Sequence, residues 1–239
     1  MKTNPLSRKR GFTLIEVLVV IAILVTLGTL VFMGVGKAME AAHRAQSISN
    51  IKQLSSITVA DAGDNNGVFP EIHFGNVPFW FSQEWREKSG ITRNMAYSAS
   101  NKCWTRGGMD TCSSPQRDLW DYGQGEESSI FSYACLIQNP IWTATGVFVE
   151  PDNWDRIKDE VVDEDEVVRW TPSRLGQTVA YPILWIDVTA RWNKQMIGNY
   201  LNGDEPGGTH LGFLDGHVEW VRGNDMVERF SSPGLALFW

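Results

Sequence analysis

Hydrophobic and polar positions divide this chain into three stretches. From Phe12 to Gly36 the residues are almost all apolar, and Glu16 is the one charge among them. Leu14, Ile15, Val17, Leu18, Val19, Val20, Ile21, Ile23, Leu24 and Val25 would make a helix apolar on every side. The run exceeds the about 20 residues that cross a bilayer, and such a surface belongs in lipid. From Lys37 to Ala62 there is no proline. Ala41, Ala45, Ile48, Ile51, Leu54 and Ile57 recur there at helical spacing, with Glu40, Arg44, Gln46, Asn50, Lys52 and Gln53 on much of the remaining surface. Gly63 is the expected C-cap, and Asp64-Asn65-Asn66-Gly67 followed by Pro70 closes the segment. One helix over residues 12–62, with residues 12–36 in the membrane, would extend about 75 Å at 1.5 Å per residue.

The third stretch, residues 63–239, is long enough for one globular domain. Residues 68–128 have weak periodicity, and Phe79-Trp80-Phe81 and Trp85 are expected to pack on the outer half of the helix. Ile130–Ile137 and Ala144–Val149 are candidate strands. Thr178–Val188 is rich in β-branched and aromatic residues, and Pro182 confines it to an edge or a bulge. Thr209–Val221 predicts a hairpin around Asp215-Gly216, the dipeptide suited to a two-residue type I′ turn. A long helix, then loops, then a C-terminal antiparallel sheet make the class α+β.

Charge adds orientation. Lys2, Arg8, Lys9 and Arg10 precede the apolar run with no acid among them. The positive-inside bias therefore keeps this end in the cytoplasm and puts the domain on the other side. A cleaved secretory signal would have an apolar core of only about 7–15 residues, and no cysteine precedes Cys103 to carry a lipid anchor. The whole chain carries −7, and loss of the four positive charges up to Gly11 would leave −11. An acidic domain argues against nucleic acid as partner, since phosphates require a basic face.

The segment Arg10-Gly11-Phe12-Thr13-Leu14-Ile15-Glu16 resembles the processing site of type IV prepilins and type II secretion pseudopilins. The resemblance covers about the first tenth of the chain. It implies a leader of residues 1–11, cleavage between Gly11 and Phe12 by a prepilin peptidase, and N-methylation of Phe12. It also implies an assembly role for Glu16, paired with the N-terminal amine of a neighbouring subunit. The cost of a carboxylate in a spanning helix, about 2.5–3.5 kcal/mol at the bilayer centre, independently marks Glu16 as functional. Implied partners are the peptidase, other copies and other pilin-like subunits, and an inner-membrane assembly platform. The implied location is the bacterial inner membrane, crossed once, with the filament in the periplasm or at the cell surface.

Phe213, Asp215, Gly216, His217 and Val218 resemble a Phe-x-Asp-Gly-His-Val element that closes a subgroup of bacterial prepilin-type proteins. That group usually has a histidine ten residues before the aspartate, where this chain has Glu205; His210 lies closer in. Some pseudopilins hold calcium near the C-terminus, so Asp215 and His217, with His210, Glu205 and Glu219 nearby, are candidate metal ligands. The preferred account is a turn in which Asp215 bonds its own backbone, with no cofactor. Asp159–Glu166 lacks the spacing and central glycine of an EF-hand loop and reads as a solvated acidic face.

Cys103, Cys112 and Cys135 all follow the apolar run. Cys103–Cys112 with Cys135 buried, or Cys112–Cys135, would suit an oxidising compartment. Eleven tryptophans fit a core filled by large side chains, and the competing use is a carbohydrate-facing surface. No Gly-x-Ser-x-Gly, His-Glu-x-x-His or phosphate-cradling glycine loop occurs, so no catalytic residue is assigned and the chain is expected not to be an enzyme. The reading is a structural subunit of a type II secretion pseudopilus or a type IV pilus-like filament. The alternative is a non-polymerising anchored binding protein or enzyme whose outer domain recognises polysaccharide.

Overall fold

The computed structural model describes residues 12–74, 77–105, 107–112, 116–123, 127–138, 146–192 and 194–239, apart from the Met33 side chain. The expected leader with Gly11, and Trp142, Ala144 and Thr145, lie outside these residues. Helix α1 runs from Leu14 to Asp64. The chain divides into two compact units, one ending at Ala42 and one spanning His43–Trp239.

In the first unit every described side chain from residue 12 to 42 is exposed. Leu14 is 84% accessible and even Val19 is 49% accessible. The helix is long and apolar enough to cross a membrane.

The second unit begins with the rest of α1, residues 43–64. Its buried face is Ser47, Asn50, Ile51, Leu54, Ser55, Thr58 and Ala62. This corrects the predicted stripe: Ala45 is exposed, and Ile48 and Ile57 are only partly buried. The buried face is rotated toward small polar residues because those residues have partners. Asn50 Nδ2 donates to the Asn94 carbonyl at 2.9 Å and to Tyr133 Oη at 3.2 Å. The Trp185 indole donates to Thr58 Oγ1 at 3.0 Å. Gly63 is inside the helix, not its cap. Asn66 (φ 54°) and Gly67 (φ 80°) make the left-handed stop, where the Gly67 N–H returns to the Ala62 carbonyl at 2.7 Å.

Among the described residues, fifteen strands, three short α-helices and a 3-10 turn at Gly223–Asp225 follow. β1 (Trp80–Ser82), α2 (Gln83–Lys88) and α3 (Arg93–Ala96) come first, then β2 (Met109–Asp110), β3 (Arg117–Asp118), β4 (Ser128–Ile130) and β5 (Tyr133–Cys135). β6 (Val147–Phe148) and α4 (Trp154–Val161) precede β7 (Ile183–Asp187), β8 (Thr189–Trp192), β9 (Gln195–Gly198), β10 (Leu201–Asn202) and β11 (Glu205–Pro206). The chain ends with β12 (Gly208–Phe213), β13 (Val218–Arg222), β14 (Glu228–Ser232) and β15 (Leu235–Phe238). Two antiparallel sheets carry the domain, in orders β13-β12-β7-β5 and β6-β14-β15-β8-β9. The class is α+β, as the pattern predicts.

The predicted strand at Ile130–Ile137 is two strands in different sheets, since β4 pairs with β1 and β5 with β7. Between them, Phe131 and Ser132 donate to the carbonyls of Phe79 and Ala96. The Thr178–Val188 segment is a strand only from Ile183. Pro182 lies just before it, so β7 keeps its ladder donors and sits inside the sheet between β12 and β5; of the two expected settings the edge is not found, while the register against β12 shifts between Gly212 and Phe213, opposite Trp185 and Ile183. Trp85 reaches the helix as expected, its indole donating to Asp61 Oδ2 at 2.8 Å. β12 passes close to α1 at Gly212, where a Cβ would lie 2.3 Å from Ile51 Cγ2. Cys103 and Cys112 form the disulfide, and Cys135 is a buried free thiol whose pKa burial drives up. Every described tryptophan is buried or half-buried, which fits the core-filling account.

Candidate functional site

The start of α1 is organised by two side chains three residues apart. Glu16 Oε2 accepts from the Thr13 backbone N–H at 2.8 Å and from its hydroxyl at 2.9 Å. Thr13 Oγ1 in turn accepts from the Glu16 N–H at 3.3 Å. This is a reciprocal capping box: a threonine at the N-cap and a glutamate at the third helical position satisfy two backbone donors that helix geometry leaves unpaired. The carboxylate also lies at the positive end of the helix dipole. Phe12, 83% accessible, stands immediately outside the cap. Sequence reasoning singled out Phe12 and Glu16 and missed Thr13, although Thr-x-x-Glu spacing before an apolar run is itself the signal.

The C-terminal candidates occupy two separate places. The hairpin turn is not the predicted two-residue type I′. The Phe213 N–H reaches the His217 carbonyl and the Gly216 N–H reaches the Phe213 carbonyl, both at 3.0 Å. Of the turn residues only Gly216 has positive φ, at 87°. This is a three-residue loop, Leu214-Asp215-Gly216, with glycine at the left-handed position. Asp215 Oδ1 accepts from the His217 N–H at 3.1 Å and lies 2.5 Å from His217 Nδ1. The backbone N–H is the larger cause, and the imidazole the second, holding the Asp215 carboxyl below its ordinary range.

His210 is elsewhere, buried in β12 against Asp187 at the end of β7. Asp187 Oδ2 lies 2.6 Å from His210 Nδ1 and 3.0 Å from its backbone nitrogen, while Asp187 Oδ1 accepts from Asn199 at 2.7 Å. Tyr200 and Trp220 face the ring at centroid distances of 5.5 and 4.6 Å. The structure thus separates His210 from Asp215 and His217. Asp187, its true partner, and Asn199, which bonds Asp187, were not singled out, because the β7–β12 pairing is what brings Asp187 to His210. Glu205 and Glu219 are exposed. Among the described residues no group of three or more His, Cys, Asp or Glu could hold a metal ion.

Residues 6–32 match the family model described as a prokaryotic N-terminal methylation motif. The match includes Gly11, Phe12, Thr13 and Glu16. It supports a type IV pilin-like protein processed as a prepilin and anchored in a membrane by its apolar helix. No curated protein and no solved structure matches the chain.

Proposed function

We propose that this protein is a structural filament subunit, most similar to a type II secretion pseudopilin, with no catalytic role. A prepilin peptidase cuts after Gly11 and Phe12 receives the methyl group. The apolar part of α1 holds the subunit in the inner membrane until it moves sideways into the filament, leaving the acidic domain outside the cytoplasm. The observation that carries this reading is Glu16: one carboxylate, bonded to Thr13, in a helix that is otherwise uncharged from residue 14 to 36 and whose described side chains there are exposed. Such a group is costly in lipid unless it meets a positive charge, and the amine freed at Phe12 of a neighbouring subunit supplies one.

Mass spectrometry of the protein from its own membrane tests the first step. A chain beginning at methylated Phe12 is expected; recovery of an intact leader overturns the reading. Crosslinking tests the second. Glu16→Ala is expected to be processed normally yet to lose subunit–subunit crosslinks along α1, and normal crosslinking would remove the assembly role.

A further inference from the structure

The five-stranded sheet turns Ala190, Leu235 and Leu237 into the core. On its other face the registers set Met196, Arg191 and Ala236 side by side, and Phe238 follows two positions along β15, again on that face. This face, the β10–β11 hairpin and the turn at Gly223–Asp225 line a cleft of about 600 Å³, a size that suits small ligands. The Gly223 N–H bonds the Gly207 carbonyl at 3.1 Å, and a Cβ on Gly223 would overlap the Pro206 carbonyl oxygen, so this wall is closely packed. The charges of the cleft are segregated. Arg191 and Lys194 come from the β8–β9 hairpin, Asp204 and Glu205 from the β10–β11 hairpin. Among the described residues no ion pair joins the two sets: Arg191 lies 4.0 Å from Glu228 and over the Phe238 ring at 5.1 Å, and the other three make no ion pair. Lys194 stands at φ 71°, a left-handed position that favours glycine. Met196, Met226 and Phe238 add half-buried apolar surface.

β9 is also an edge strand. The Asn199 N–H bonds the Val188 carbonyl. Alternation from that pair gives Ile197 and Gln195 to β8 and leaves the N–H and C=O of Met196 facing the open edge. We propose that the cleft binds an extended peptide segment in which an acidic and a basic side chain flank apolar residues. The acid meets Arg191 and Lys194, and the base meets Asp204 and Glu205. The apolar part covers Met196, Met226 and Phe238, and the peptide backbone adds to Met196 as a further strand would. A neutral or acidic saccharide would leave the carboxylate wall without a cation. The cleft uses residues 191–238 alone, so its test stands apart from that of filament assembly.

Fluorescence anisotropy tests this, with the full chain in detergent micelles titrated into dye-labelled acetyl-Lys-Val-Val-Glu-amide and its reverse, acetyl-Glu-Val-Val-Lys-amide. One of the two should bind saturably, about tenfold tighter than the same peptides with two lysines or two glutamates. Lys194→Gln and Glu205→Gln should each weaken it by about three- to fivefold, the upper range for an exposed ion pair. Lys194→Glu should also narrow the preference over the two-lysine peptide, which a merely structural role would not do. Lys102→Gln, outside the cleft, should bind as wild type, and unchanged near-UV circular dichroism would show that each variant is folded. No saturable binding of either mixed peptide, equal binding of all four, or unchanged binding by folded Lys194→Gln or Glu205→Gln overturns the site. Tighter binding of trigalacturonic acid than of either mixed peptide overturns the peptide reading in favour of an acidic saccharide.

Discussion

The two parts of α1 solve opposite problems with one backbone geometry. Residues 14–36 are almost all apolar, and every described side chain among them is exposed, over a length that would cross a membrane. Residues 43–64 bury one face, and much of that face is polar: Ser47, Asn50, Ser55 and Thr58. Hydrophobicity is therefore a poor guide to burial along this helix. In the polar part, Ser47, Asn50 and Thr58 are buried with hydrogen-bond partners. Ser47 Oγ, for example, lies 3.2 Å from Tyr133 Oη and 2.9 Å from Tyr200 Oη.

Equal truncations in the two parts make the contrast quantitative. Leu54 is fully buried and Leu24 is 62% accessible. Leu54→Ala should cost the domain about 2–5 kcal/mol, the range for a buried leucine that leaves a cavity. Leu24→Ala should leave the denaturation midpoint of the domain within about 0.5 kcal/mol of wild type. Matching losses in the two variants would mean that residues 14–36 also belong to the folded core.

Acid should act on the domain part alone. His73 is buried against the Cys135 carbonyl at 3.0 Å, and burial lowers its pKa to about 4. In the unfolded chain it titrates near its ordinary value of about 6.5. The stability that comes from keeping it neutral is whole above that value and drains away as pH falls toward 4. At about 1.4 kcal/mol per pH unit the full loss is about 3 kcal/mol. Denaturant titrations at pH 7 and pH 4.5 should show most of this loss in wild type and much less of it in His73→Phe. A wild-type midpoint that does not move would show that His73 is not held neutral.

What could be read from the sequence follows the same division. The spanning stretch and its continuation into the domain were legible because each signal is local: an apolar run, a lack of proline, a polar stop at Asn66-Gly67. The buried face of the second part was not legible, because the partners of Ser47 and Thr58 lie 86 and 127 residues away. The hairpin was found in the right place, but its turn class was misread, since Asp-Gly serves both the two-residue loop and the three-residue loop in which Gly216 alone is left-handed. Phe12 and Glu16 were singled out by the resemblance of their segment to a prepilin processing site, and the Thr-x-x-Glu spacing of the cap is local too. Asp187 was not singled out, because nothing local joins it to His210, 23 residues on.

A smaller effect should follow from Asn50, the buried amide that ties α1 to Asn94 and Tyr133. Asn50→Ala leaves the Asn94 carbonyl without this donor and the Tyr133 hydroxyl with one partner fewer, at a cost of about 1–3 kcal/mol. Asn50→Asp keeps the size but replaces a donor with an acceptor facing two oxygens, so it should cost at least as much in chemical denaturation. If both are neutral, packing and not hydrogen bonding explains the polar face.

The smallest expected effect lies at the other end of the helix and isolates the cap from the charge. Thr13→Ser keeps the hydroxyl that accepts from the Glu16 N–H, so hydrogen exchange in the first turn should be unchanged in micelles. Thr13→Ala removes that acceptor and should speed exchange there by about fivefold, the equivalent of about 1 kcal/mol for a lost N-cap. The carboxylate of Glu16 would still have the Thr13 backbone N–H, so the same variant should keep part of its subunit crosslinking while Glu16→Ala keeps none. Should Thr13→Ala lose crosslinking as completely as Glu16→Ala, the hydroxyl would be as necessary to assembly as the charge. In that case the cap, and not only the carboxylate, would be what one subunit presents to the next.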